Sequence, residues 1–167
     1  MIENTPRKST ESSTRDALSH SRDLLLALNR AAQAVQKART AEEVYRAVVD
    51  QIRSLGEEVS LYIFADDREA LTMVHTSYAP DLIHQIEALL GNSVLGYRIV
   101  FSPDSIYARS LKSGRTEYIH WTREHISSAL PASPSPLDAQ LMNLLKIEQG
   151  IFAPLRADDE VLGLMVV

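Results

Sequence analysis

A chain of 167 residues with 45% hydrophobic content has room for one globular domain and an extension. Seventeen Lys and Arg against 22 Asp and Glu give a formal charge of -5, so its long-range field repels nucleic-acid phosphates and anionic lipid surfaces. The absence of cysteine excludes disulfides, thiolate metal sites, thiol nucleophiles and thioether-linked cofactors.

Residues 1–16, MIENTPRKSTESSTRD, are polar and charged without an apolar period, and predict a disordered tail that cannot bury enough surface to offset its chain entropy. From Ala17 the pattern turns helical: Leu18, Leu25, Leu28, Ala32 and Val35 form a heptad-like stripe that Leu24 and Ala31 widen. Such a stripe serves either a helix packed on its own domain or a parallel dimer seam, and it is shorter than the roughly three to four heptads of a self-sufficient coiled coil. Thr40 opens a second helix as an N-cap, with Glu43 reaching back as a capping box. Its apolar face is Val44, Ala47, Val48, Ile52 and Leu55, and Gly56 ends it.

The run VSLYIFADDREALTMVHTSYA reads as two β-strands around a charged turn at Asp66 to Glu69. Pro80 then starts a helix where its missing N–H costs nothing, and Gly91 closes it. YRIVF, Tyr97 to Phe101, is a strand with Tyr97, Ile99 and Phe101 on one side and Arg98 and Val100 on the other. In SPDSIYARSLKSGR, Ser102 is the expected N-cap, Pro103 the first helical residue and Gly114 the C-terminal glycine. TEYIHW is the next strand. Thr122 to Ser135 is a long Pro/Ser-rich loop, after which Ser135, Pro136 and Asp138 start a helix with Leu137, Leu141, Leu144 and Leu145 inward. Gly150 leads into the hairpin IFAPLRADDEVLGLMVV. The order of elements predicts an α+β fold with a six-stranded, mostly antiparallel sheet flanked by helices. No apolar stretch approaches the ~20 residues that cross a bilayer, so the segment reads as cytoplasmic, with neither membrane nor nucleic acid as partner.

Three stretches resemble the GAF domain, a sensing module related to PAS domains: the hairpin VSLYIFADDREALTMV, the segment SIYARSLKSGRTEYI, and the ending GIFAPLRADDEVLGLMVV with Pro154, Leu155, Val161, Leu162 and Gly163 in matching places. The resemblance covers about Asp23 to Val167, so 17–167 is read as one GAF-like domain. It implies a closing helix after the last strand, and the chain, ending at Val167, is expected to be a fragment cut before it. It also implies a sensory, small-molecule-binding and non-catalytic domain, expected as the N-terminal input domain of a sensor histidine kinase, dimerising through its N-terminal helix. Two alternatives stay open: a ligand-free dimerisation or interaction module, and a haem-binding gas or redox sensor.

Bilin attachment and sulfoxide reduction in that family use cysteine, and this chain has none. Of the five histidines, His20 and His84 fall on helices, His75 in a strand, and His120 and His125 beside the long loop. None belongs to a cluster with metal-site spacing, and no Ser, His and Asp share a nucleophile-elbow context, so no catalytic or metal residue is assigned. The polar-tipped aromatics carry the binding expectation, because each pairs an apolar body with one hydrogen-bonding point. The candidate ligand-binding set is Tyr62, Tyr97, Ile99, Phe101, Tyr107, Tyr118, His120 and Trp121, with Arg98 or Arg109 available to an anion. The ligand and any cofactor stay unidentified.

Overall fold

The computed structural model describes residues 22, 25, 26, 29, 30, 32–130 and 136–167, and the chain divides after Gly56 into two compact units. The expected tail at 1–16, the stripe residues Leu18, Leu24, Leu28 and Ala31, His20 and the loop end at 131–135 lie outside the described residues.

In the first unit, the described residues between 22 and 37 are all helical and make up α1. Of its stripe, Leu25 and Ala32 are exposed and Val35 is half-buried. Helix α2 (Ala41–Arg53) starts where the sequence places it: the Thr40 hydroxyl accepts from the Glu43 amide at 3.2 Å, satisfying one of the N–H groups that a helix start leaves without a partner. The Glu43 carboxylate reaches one residue past the cap and accepts from the Arg39 amide at 2.6 Å. Glu42 and Glu43 in the first turn and Arg53 in the last complement the helix dipole. A turn through Ser54 follows, and Gly56 adopts φ +89°.

The second unit is built on six strands, β1 (Ser60–Phe64), β2 (Ala70–Thr76), β3 (Arg98–Val100), β4 (Glu117–His120), β5 (Gln149–Ala157) and β6 (Glu160–Val166). Their order is β3-β2-β1-β6-β5-β4 and every pairing is antiparallel. The hydrophobic hairpin β5–β6 is therefore interior, with β6 hydrogen-bonded to both β1 and β5.

One face of the sheet carries the core. Tyr62, Leu71, Met73, Ile99, Ile119, Phe152 and Leu164 meet Ile86 of α3 (Pro80–Leu90), Ile106, Tyr107 and Leu111 of α4 (Ile106–Ser113), Ile126 of α5 (Arg123–Ser127) and Leu141 of α6 (Leu137–Leu145). Each such side chain contributes about 1.5–3 kcal/mol through removal of apolar surface from water. The strand periodicity of two decides which residues share this face. On β4, Ile119 points in, whereas Tyr118 and His120 point out.

Two helix starts differ from the sequence reading. The helix expected from Ser102 begins at Ile106: Pro103 and Asp104 form a turn, and Ser105 is the cap, its hydroxyl accepting from the Ala108 amide at 3.2 Å and donating to the Ser102 carbonyl at 2.7 Å. Two serines three residues apart offer two cap registers, and burial of Ile106 and Tyr107 selects the later one. Within the expected loop, residues 123–127 form α5, because Thr122 and His125 make a reciprocal cap. The Thr122 hydroxyl accepts from the His125 amide, and His125 Nδ1 accepts from the Thr122 amide at 3.3 Å. A histidine filling the place of Glu or Gln hides this capping box from the usual sequence pattern.

Candidate functional site

Beneath α3, α5 and α6 the core leaves a chamber of about 100 Å³. Its floor is the sheet face, with Tyr62, Met73, Ile99 and Val166, and its cover includes Ile86, Leu90, Ile126, Leu141 and Leu145. Tyr78, just past β2, and Tyr107 of α4 complete the wall. Against it lies an open groove of about 510 Å³ that shares Leu90, Tyr97, Ala129 and Leu130 with the chamber and adds Asn92, Ser93, Leu95 and Arg98.

Three of the four phenols that line the chamber set its electrostatics; the fourth, Tyr97, is raised by burial as well. Burial pushes Tyr107 up, with Tyr78 adding to the effect. Burial also pushes Tyr62 well above the ordinary phenol value, reinforced by Tyr107 and Tyr78 and opposed by the Ser60 hydroxyl. Tyr78 is raised chiefly by burial as well. All three therefore stay neutral across the physiological range and act as hydroxyl donors or acceptors rather than as anions. No Asp, Glu, Lys, Arg or His is among the described residues lining the chamber.

The aromatic wall is held from behind. Tyr107 meets Phe152 edge-on, ring centroids 5.3 Å apart at 67°, and Trp121 leans on the same ring at 5.4 Å. Trp121 lies against Gly150, where a Cβ would fall 2.5 Å from the indole nitrogen. Above, Arg123 of α5 makes a two-pronged ion pair with Asp138 of α6, at 2.5 and 2.9 Å. This pair links the two helices of the cover. Glu87 of α3 accepts from the Val94 amide and the Ser93 hydroxyl, each at 3.0 Å, which fixes the segment carrying Val94 into the chamber wall.

Of the residues expected from the sequence, Tyr62, Tyr97, Ile99, Tyr107 and Trp121 line the chamber together. Phe101 packs against the same core but lines neither cavity. Tyr118 is 84% exposed and His120 is exposed on the opposite face of β4. Those two side chains are thus separated from the group in which they were expected, because β4 pairs Ile119 with Gly150 on the inner face. The arginines offered to an anion are already paired, Arg98 with Asp67 and Arg109 with Glu117. No described histidine lines chamber or groove, and among the described residues no cluster of three or more His, Asp or Glu could hold a metal ion. Sequence reasoning missed Tyr78. Its inward placement follows from the Ser77 amide donating to the Val59 carbonyl at 2.9 Å, one step beyond the end of β2, and no periodicity marks it.

No protein-family model matches the sequence, and no curated protein matches it. Solved structures do match. The GAF domain of a phosphoenolpyruvate-protein phosphotransferase from Acinetobacter aligns over 86% of this chain and 75% of its own, with TM-score 0.59 and 13% identity. A methyl-accepting chemotaxis protein, residues 122 to 287, aligns over 84% of this chain and 80% of its own, with TM-score 0.59 and 14% identity. The phycoerythrobilin-bound GAF domain of a cyanobacterial phytochrome aligns over 87% and 81%, with TM-score 0.55 and 17% identity. The chain has the GAF fold. Among the described residues, no helix is long and apolar enough to cross a membrane.

Proposed function

We propose that this chain is a sensory and regulatory domain that binds a small organic molecule in the Tyr62–Tyr78–Tyr107 chamber and is not itself an enzyme. The observation that carries the reading is the chamber: a mostly apolar cavity with a few converging polar atoms is the usual form of a ligand site, and here the polar atoms are phenols with no acid–base pair beside them. Structural neighbours that belong to a chemotaxis protein and a phytochrome support a signalling role. A ligand that favours one arrangement of α5 and α6 would shift the population of cover conformations, and that shift is the signal. The output as a histidine kinase, and placement as its N-terminal input domain in the cytoplasm, rest on the sequence resemblance alone. Dimerisation through α1 is supported by the exposure of Leu25 and Ala32 on its stripe.

One observation favours a second reading, a ligand-free interaction module: about 100 Å³ is below the roughly 300–1,000 Å³ of drug-sized ligand sites. Thermal unfolding of the chain with a panel of small organic molecules separates the two. The sensory reading expects at least one compound to raise Tm with a logarithmic dependence on its concentration. A panel without effect on a chain that is dimeric by native mass measurement would favour the interaction module.

A further inference from the structure

We infer that the chamber takes a compact, uncharged molecule of about the size of a four-carbon ketone, whose oxygen accepts a hydrogen bond from the Tyr107 hydroxyl. This deepens the sensory reading above and rests on it.

Three observations converge on that class. The first is size: an apolar cavity of about 150 Å³ holds benzene, and a water takes up about 30 Å³ in the liquid. A chamber of about 100 Å³ therefore encloses several non-hydrogen atoms, and a six-membered ring would have to extend into the adjoining groove. The second is charge. With no Asp, Glu, Lys, Arg or His among the described lining residues, a carboxylate or ammonium would enter without a counter-ion, and the loss of its hydration would go uncompensated. Phosphate-bearing ligands are excluded on the same ground.

The third observation is the hydrogen-bond account. The Ser60 hydroxyl lies beside both Tyr62 and Tyr78. Tyr107 is 3% exposed, and among the described residues its hydroxyl has no hydrogen-bond partner, only the neighbouring Tyr78 phenol. A phenol O–H from which no described group accepts is available to donate to an incoming acceptor. A carbonyl oxygen accepts without adding a donor that would need a partner of its own. Met73, Ile86, Ile99 and Ile126 then surround the aliphatic part.

The test uses three probes on the full chain: 2-butanone and acetate by titration calorimetry, and xenon by ¹²⁹Xe NMR. Acetate is small enough to enter but charged; xenon is apolar and has no acceptor. Butanone is expected to bind saturably, acetate not at all, and xenon to exchange with a bound site. Tyr107→Phe keeps the ring and its edge contact with Phe152, and is expected to weaken butanone about three- to tenfold, the worth of one net hydrogen bond, while leaving xenon unchanged. Tyr62→Phe is the comparison and should weaken butanone less. Xenon binding without butanone binding, acetate binding as tightly as butanone, or butanone binding indifferent to Tyr107→Phe would each overturn the ligand class and leave the site standing. Failure of all three probes in a folded chain would remove the ligand site itself.

Discussion

Gly163 and Tyr62 set the spacing at the centre of the sheet: a Cβ on Gly163 would lie 2.0 Å from the Tyr62 carbonyl oxygen and 2.9 Å from Ile63 Cα. Both obstacles are backbone, so no rotamer change relieves the contact. Gly163→Ala is therefore expected to force β1 and β6 apart and to destabilise the chain by about 3 kcal/mol. For a chain of this size that is a fall in Tm of about 6–12 °C, measurable by calorimetry. A change below about 1 °C would mean that β6 does not sit as closely on β1 as described.

Gly150 offers the contrasting case. Its nearest obstacle is the side chain of Trp121, which can swing away, and the backbone contact beside it, the Val167 carbonyl oxygen at 3.1 Å, is milder than those at Gly163. Gly150→Ala should cost less than Gly163→Ala but displace the indole. Because Trp121 is the only tryptophan in the chain, the displacement is expected as a change in emission maximum with the far-ultraviolet circular dichroism preserved.

The ring pair Tyr107–Phe152 separates packing from hydrogen bonding. Phe152 is fully buried beneath both Tyr107 and Trp121, and Phe152→Ala should cost about 3–5 kcal/mol, a large part of the stability of a single domain. Tyr107→Phe removes a hydroxyl with no hydrogen-bond partner among the described residues, and its denaturation midpoint should move by less than about 1 kcal/mol in equivalent stability. Equal losses in the two variants would contradict the account of the Tyr107 hydroxyl.

Acid should loosen the cover of the chamber before the sheet. Glu87 is held below the ordinary value of 4.5, first by the Val94 amide and then by the Ser93 hydroxyl. Asp138 is held below 3.8, first by its hydrogen bond from Arg123. A folded-state value lower than the unfolded one stabilises the fold fully above the unfolded value, and the contribution disappears as pH falls through the folded value. Both groups are half-buried in the cover, and the effect is local to it. Protection against hydrogen exchange, corrected for the intrinsic rate at each pH, is expected to fall in residues 92–96 below about pH 4.5 and in residues 123–127 below about pH 3.8, and Glu87→Gln with Asp138→Asn should show that lower protection already at pH 7.

Much of the fold was legible because local signals agreed with the tertiary structure. Thr40, Pro80, Gly91 and Gly114 each mark a helix end in the place the chain uses, and the alternation in β3 places Ile99 inward. The cap at Ser105 was not legible, since Ser102 followed by Pro103 is as good a local start, and only the burial of Ile106 and Tyr107 decides. The short helix α5 was hidden by the histidine in its cap. For the site, an aromatic with a polar tip identifies a type of side chain but not a face. Tyr118 looks the same as Tyr62 in sequence, and the register of β4 against β5 turns it outward. Tyr78 escaped notice for the converse reason: it lies beyond the strand, where no period assigns a side.

The central claim is that the chamber admits a small molecule, and methyl-resolved NMR tests it at the place concerned. Ile86, Ile99 and Ile126 line the chamber, whereas Ile63 and Ile151 do not. With a panel of small uncharged and anionic compounds, the account expects saturable shifts at the first three methyl groups for at least one uncharged member, with Ile63 and Ile151 unmoved. If no member moves Ile86, Ile99 or Ile126, or if shifts are confined to Ile63 and Ile151, the chamber is not a ligand site and the interaction-module reading takes its place.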